Sequence, residues 1–405
     1  MRRVVRLALA LVAAPVFLTA APARADHADE LRATLARIQL PPGFHIALYA
    51  LTPNARSLAL SPDGATLIVG SSGARVYKVA LGPDLKVAQG RDLKVAQGRD
   101  LAAKVEPFAP GQSFTLPNGP CFAPDGTLFL ATFDRILRFA PRPGGGWDED
   151  HPQQIVAPGA LIPAAEKKQS HGMRVCRVGP DGKLYVAVGQ PDNVPPKDRQ
   201  PLYAKWGMGG ILRMDRDGTN KEIFASGIRN SVGMDFEPGT GVLWFTDNQV
   251  DGMGDDIPPE ELNKAPRAGL NFGFPWYGGG HVRTKLYADE TPPDDLAFPE
   301  LELNAHAADL GMIFSRGAVF PESWRGIFIA QHGSWNRSVP IGARVMFVPF
   351  RDGKPGRAIP FAEGWNRGDG GYSGRPVALA ELPDGSLIVS DDQEGALYRI
   401  FYDGK

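Results

Sequence analysis

The sequence predicts an all-β protein, a six-bladed β-propeller of four-stranded antiparallel blades. Three observations predict it. Gly and Pro, 48 and 37 of 405 residues, run through the whole chain with short β-type stretches between them. One turn phrase followed by a strand recurs six times. In most copies a second strand of roughly alternating apolar and polar residues follows.

The copies are Ser61-Pro62-Asp63-Gly64 before Thr66–Val69, Ala123-Pro124-Asp125-Gly126 before Thr127–Leu130, and Gly179-Pro180-Asp181-Gly182 before Lys183–Val186. Glu237-Pro238-Gly239 before Val242–Phe245, Phe320-Pro321-Glu322 before Gly326–Ile329 and Leu382-Pro383-Asp384-Gly385 before Ser386–Val389 complete the set. Pro sets φ at the first turn position, and Asp-Gly tolerates the unusual φ of a tight hairpin. The second strands are 75–79, 135–139, 210–214, 344–348 and 396–400, with the alternation of a half-buried strand. Six copies of a unit too small to fold alone indicate a propeller or solenoid, and units of this length fit four-stranded blades. A β-sandwich would not need six near-regular copies.

The turn prolines are spaced by 62, 56, 58, 83 and 62 residues, so one unit carries a long insertion. Such loops are where function usually sits. A polar tandem duplication, 84–91 and 92–99, reads as a tolerated surface insertion.

Arg2, Arg3 and Arg6, the apolar run Leu7–Ala20 and Ala23-Arg24-Ala25 form a secretory signal pattern, with cleavage expected after Ala25. Residues 26–405 are then expected as one propeller domain, periplasmic or secreted, with no membrane span. That segment holds 40 basic and 45 acidic residues and no basic block, so nucleic acid is excluded as a partner class. No Cys-x-x-Cys-His is present, so no c-type haem is attached. Export permits a Cys121–Cys176 disulfide. Two small buried strand residues is the preferred reading of the pair.

Loops at one end of a propeller axis converge, so chemistry is expected at equivalent points of different units. His171 stands eight or nine residues before a turn phrase and could accept a proton near neutral pH. Arg229-Asn230 stand at the same offset in the next unit, where a guanidinium fork suits a carboxylate or quinone oxygens. Thr246 to Asp256 crowds oxygen side chains and flexible carbonyls, a composition that suits Ca²⁺ as well as an acidic turn. Arg375 repeats the offset, and Trp335 and Arg337 in Gly333–Arg337 offer a stacking ring and further charge. Together they describe a site for a planar polyanion with a metal.

At this point the chain resembles the glucose/sorbosone dehydrogenase family, soluble sugar dehydrogenases that use pyrroloquinoline quinone (PQQ). The phrases that carry it are Leu40–Phe44, His171–Arg174, Gly227–Asn230, Gly254–Asp256, Gly269–Trp276 and Gly333–Arg337, and the sorbosone-type branch looks closer than the glucose-specific one. The resemblance implies His171 as general base and Arg229, with Asn230 beside it, as the group polarising the quinone. It implies Asn248 near the cofactor, Gln249 and Val250 as carbonyl ligands of a catalytic Ca²⁺, and Asp255 and Asp256 as part of a second Ca²⁺ site. Arg375 resembles an arginine that pairs with a PQQ carboxylate, and Arg337 stands in for a family lysine. Ser170 and Val232 depart from the glucose enzymes, which puts glucose itself in doubt. A separate cytochrome or quinone is the expected electron acceptor. The competing readings are a Ca²⁺-dependent propeller lactonase and a non-catalytic binding propeller.

Overall fold

The computed structural model describes residues 20–81, 104–317 and 319–404, with side chains from residue 26 onward. Most of residues 1–25 of the expected signal segment and the whole tandem duplication therefore lie outside the described residues or side chains.

Six antiparallel sheets follow one another along the chain. Blade 1 comprises Ala55–Leu60, Thr66–Ser71, Val76–Ala80 and Lys104–Phe108; blade 2 comprises Gly119–Phe122, Leu128–Ala131, Ile136–Phe139 and Gln153–Val156. Blade 3 comprises Val175–Val178, Leu184–Val188, Gly210–Met214 and Glu222–Ser226; blade 4 comprises Gly233–Phe236, Leu243–Asp247, Glu260–Ala265 and Leu301–Leu303. Blade 5 comprises Asp309–Phe314, Gly326–Gln331, Arg344–Arg351 and Ile359–Glu363. Blade 6 takes Pro376–Glu381, Leu387–Asp391 and Ala396–Tyr402 from the C-terminal region and its outer strand, Phe44–Leu51, from near the start of the chain. The first strands touch in a closed ring around the axis. Radial repetition of this kind leaves only short, protected sheet edges.

The turn phrases lead into strands as expected; they lie between the first and second strands of the blades, so the strands read as second in the sequence are the third of their blades. In four of the turns the Gly N–H donates to the carbonyl three residues back, over 2.8–3.0 Å, and the Gly takes φ between 68° and 84°. The Asp carboxylate of each accepts the N–H two residues on, over 3.0–3.1 Å. The turn is complete within about five residues.

Two blades depart from four strands. Leu270–Asn271, inside the long insertion of blade 4, adds in parallel to the outer strand of blade 3, and Lys354–Pro355 extends blade 5. The helix Ala20–Leu35 runs across the expected cleavage point; its residues Ala28, Leu31 and Leu35 are buried and pack on the blade 5–6 core. Phe44 sits there among the rings of Phe320, Trp324, Phe361 and Tyr402. Among the described residues no helix is long and apolar enough to cross a membrane.

The reading of Cys121 and Cys176 as unlinked is corrected. They form a disulfide with Cα atoms 5.6 Å apart. They lie on the first strands of blades 2 and 3, which the ring brings side by side although 55 residues separate them.

Candidate functional site

Antiparallel strands put the start of each first strand and the end of each second strand at the same end of the axis, opposite the Pro turns. The candidate residues lie at that end. His171 precedes the first strand of blade 3 with φ 52°, a left-handed conformation uncommon for a residue with a side chain. Buried Arg174 holds it there. Its Nη1 donates to His171 O and Gly189 O, 2.8 and 3.1 Å, and its Nε to Phe133 O, 3.1 Å. Burial pulls Arg174 down to about 10, so it stays charged at neutral pH.

The His171 ring is held at Nδ1, 2.6 Å from Gln190 O. A carbonyl only accepts, so Nδ1 carries the proton and Nε2 keeps its lone pair. No described residue bonds to Nε2. Burial first, and the Arg229 charge second, push the imidazole pKa down to about 3. The ring is neutral at physiological pH.

Arg229 is buried, and four of its five N–H groups are committed. Nε donates to Asn193 O (3.0 Å), Nη1 to Asn248 O (3.1 Å), and Nη2 to Asn193 Oδ1 (2.8 Å) and Asp251 Oδ2 (2.7 Å). One Nη1–H remains open. The backbone N–H groups of Arg229 and Asn230 both donate to Asp247, over 2.9 and 2.7 Å. Asn230 Oδ1 is buried without a partner. Gly189 lies between Asn230 and His171: a Cβ there would stand 2.5 Å from Asn230 Oδ1 and 2.9 Å from His171 Cβ. His171, Arg229, Asn230 and Asn248 are thus one constellation. Gln190 and Gly227 also line an adjoining cavity of about 460 Å³, walled by Tyr203, Met208, Phe274 and Trp276.

Gln249 and Val250 are buried just after the second strand of blade 4, and neither carbonyl accepts a hydrogen bond from a described residue. Beside them lie Asp247, already part of the Thr246–Asp256 cluster, and an acid the motif reading missed, Glu261. Asp247 and Glu261 face each other across two adjacent strands, and burial pushes both carboxyls well above the usual range, with the Asp247 charge adding to the rise at Glu261. Gln249 Oε1 and Asn263 Oδ1 are buried and unpartnered in the same neighbourhood. Free carbonyls, unpartnered amide oxygens and buried acids are oxygen donors of the kind a hard cation takes.

Asp255, Asp256 and Arg337 form a separate group. Arg337 Nη1 donates to Asp255 O and to Ala305 O, and its Nη2 lies 3.4 Å from Asp256 Oδ1. The Asp255 carboxylate accepts both the N–H and the hydroxyl of Ser338. Asp256 is exposed. Trp335 is 75% exposed. Its neighbour Asn336 reaches the main constellation, donating to Asp251 Oδ1 over 2.9 Å.

Arg375 lies across the ring. Nε donates to His332 O (2.9 Å) and Nη2 to Gly333 O (2.5 Å), leaving three N–H groups open. His332 Nε2 lies 2.8 Å from Asp392 Oδ1, and Arg56 Nη1 donates to Asp392 Oδ2 over 2.5 Å. Arg56 Nε reaches Asn118 Oδ1 (3.2 Å), and Asn118 Nδ2 donates to Arg174 O (2.8 Å). A hydrogen-bonded girdle therefore runs from blade 5 through blades 6, 1 and 2 to His171 on blade 3. Arg56, Asn118 and Arg174 each stand six residues before their turn proline. That signal was in the sequence, but a search at the offset of His171 passes over it.

Comparison with known proteins agrees with this architecture. Residues 157–333 match the glucose/sorbosone dehydrogenase family model. An uncharacterized protein of Borreliella burgdorferi is 36% identical over 252 residues, 60% of this chain; the match spans 64% of that relative's length. The PQQ-dependent pyranose dehydrogenase of Coprinopsis cinerea is 34% identical over 121 residues, 25% of this chain and 16% of that protein. The fold matches a Trichoderma reesei enzyme of carbohydrate-active family AA12 with a TM-score of 0.71 at 19% identity, covering 90% of this chain and 97% of that one. The family match covers the His171 motif, both buried arginines of blades 3 and 4 and the whole blade 4 insertion.

Proposed function

We propose that this protein is a PQQ- and Ca²⁺-dependent dehydrogenase that oxidises a sugar or sugar-derived aldehyde outside the cytoplasm and passes electrons to a separate cytochrome or quinone. The observation that carries the reading is the pairing of a neutral, tautomer-fixed His171 with a buried Arg229 that keeps one N–H open, inside a glucose/sorbosone dehydrogenase family segment. The family segment and the C. cinerea pyranose dehydrogenase likeness support the sugar and the cofactor.

The residues fit a planar polyanion. Arg375 offers three open N–H groups, Arg229 one, and Asn230 adds a buried polar atom with no other partner. Gln249 O and Val250 O are free to hold Ca²⁺. When bound, PQQ supplies a hydride acceptor and Ca²⁺ a Lewis acid. The chain does the rest. His171 Nε2 accepts the proton of the substrate hydroxyl as the carbon is oxidised. The Gln190 carbonyl keeps the other nitrogen protonated, so the ring presents its base and not its acid. Arg229, held by Asn193 and Asp251, presents a fixed positive charge where negative charge develops. Buried Val232 and exposed Ser170 take the places of polar and acidic groups of the glucose enzymes, which favours a sorbosone-like aldehyde or another aldose over glucose.

The test is reconstitution. Purified protein is mixed with PQQ, with and without Ca²⁺, and dye reduction is followed over aldoses, aldehydes and polyols. Turnover that needs both additions is expected. Turnover without PQQ, or hydrolysis of a lactone in its place, would sink the reading.

A further inference from the structure

Converting a hydroxyl to a carbonyl removes two electrons and two protons. On the dehydrogenase reading, on which this inference rests, His171 takes one of those protons. A second imidazole at the same end of the axis is built for the other.

His332 follows the second strand of blade 5. Its backbone is held on both sides: N–H to Ala308 O over 2.9 Å, and carbonyl to Arg375 Nε over 2.9 Å. Its Nε2 lies 2.8 Å from Asp392 Oδ1. Asp392 also takes Arg56 at its other oxygen; against the cost of burial, the hydrogen bond from His332 and the charge of Arg56 hold its carboxyl below the usual range. An ionised carboxylate only accepts, so His332 carries its proton on Nε2 and leaves Nδ1 bare. No described residue bonds to Nδ1. Burial is the largest influence on the ring and holds its pKa below the usual imidazole value; of the charged groups that act on it, Asp392 opposes this and Arg375 and Arg56 add to it.

His171 and His332 are thus complementary. Each has one nitrogen fastened and the other open. His171 is fastened to a neutral carbonyl and faces two arginines; His332 is fastened to a carboxylate, which stabilises an imidazolium. Arg375, proposed above to meet the cofactor, donates to the backbone carbonyl of His332.

We propose that His332 is a second proton acceptor of this site, and that Asp392 is its positioning residue. The O–H and C–H bonds of the substrate break and C=O forms. The hydroxyl proton goes to Nε2 of His171, and the electron pair leaves with the other hydrogen as hydride. When the pair passes on to an external haem or quinone carrier, that hydrogen stays behind as a proton, and Nδ1 of His332 takes it.

Two measurements test this. In the cofactor-free protein, ¹⁵N imidazole spectra are expected to show His332 protonated at Nε2 alone, and Asp392→Asn to lower its pKa. A ring protonated at Nδ1 overturns the proposal whatever the enzyme proves to be. In the PQQ- and Ca²⁺-loaded protein, the two half-reactions are followed separately by stopped flow, with hexacyanoferrate(III) as an oxidant that takes no proton. His332→Gln keeps a donor for Asp392 and removes the base. It is expected to slow reoxidation about 100-fold, with reduction by substrate within about twofold. Equal loss in both half-reactions, or loss in neither, overturns the role. Failure to bind PQQ overturns the dehydrogenase reading itself, and the role with it, while the tautomer result stands apart.

Discussion

The two ends of the propeller are built by different rules. At the turn end, a Pro, an Asp and a Gly close four of the six hairpins with bonds that span two to five residues. At the other end the partners come from afar. Arg56 pairs with Asp392 336 residues on, and Arg229 bonds Asn193 36 residues back. The turn end is a set of independent local solutions; the site end is one solution shared by all blades. A change at the turn end is therefore felt locally, whereas a change at the site end removes a partner from a neighbouring blade.

Four substitutions break or sharpen this contrast. The largest effect is expected for His171→Gln. kcat/KM should fall about 10²- to 10⁴-fold with thermal stability nearly unchanged, measured by steady-state rates and melting. Arg174→Leu comes next. It leaves three buried carbonyls, those of Phe133, His171 and Gly189, without their donor. A loss of about 3 kcal/mol in denaturant unfolding is expected, together with loss of activity, because the His171 loop is what those bonds hold. Asp309→Asn tests the buried acids. Burial raises the Asp309 carboxyl to about 7, against about 4 in an unfolded chain. Between those values the folded protein holds a proton that the unfolded chain does not. Stability from this group is therefore full below about pH 4, falls by about 4 kcal/mol as pH rises to 7, and is flat above. The substitution should remove that fall. The smallest effect is expected at the turn end. Gly126→Ala, at φ 84° with no crowded neighbour, should cost about 1 kcal/mol and leave activity alone.

The same contrast explains what was legible. The turn phrases and the strands that follow them could be read because their chemistry closes within a short window. The blade count and the chain order of the blades came with them. The strand Phe44–Leu51 that completes blade 6 could not be read, because its partner lies at the far end of the chain. The disulfide was misjudged for the same reason: Cys121 and Cys176 meet only when blades 2 and 3 sit side by side. In the site, His171, Arg229, Asn230 and Asn248 were visible through motif and offset, and the structure brings them together. Gln190, Asn193 and Asp251, which hold the base and the arginine, carry no motif of their own. Arg337, read as a cofactor residue, is drawn to the Asp255–Asp256 loop by contacts that no spacing reveals. Glu260 and Glu261 were passed over because acids in a strand look like solvated surface, whereas here both are buried.

The account turns on whether the arginine-rich end of the axis takes a polyanionic quinone with a metal. The direct measurement is a calorimetric titration of PQQ into the metal-free and the Ca²⁺-loaded protein, repeated with Arg375→Ala. The account predicts one PQQ per chain, tighter with Ca²⁺, and binding weakened about tenfold or more by the substitution, as loss of a charge-assisted pair requires. It also predicts that the His171 pKa rises on binding, since the anion offsets the Arg229 charge that helps to depress it. No heat of binding at any PQQ concentration tested, or an Arg375→Ala protein that binds as tightly as the parent, would contradict it.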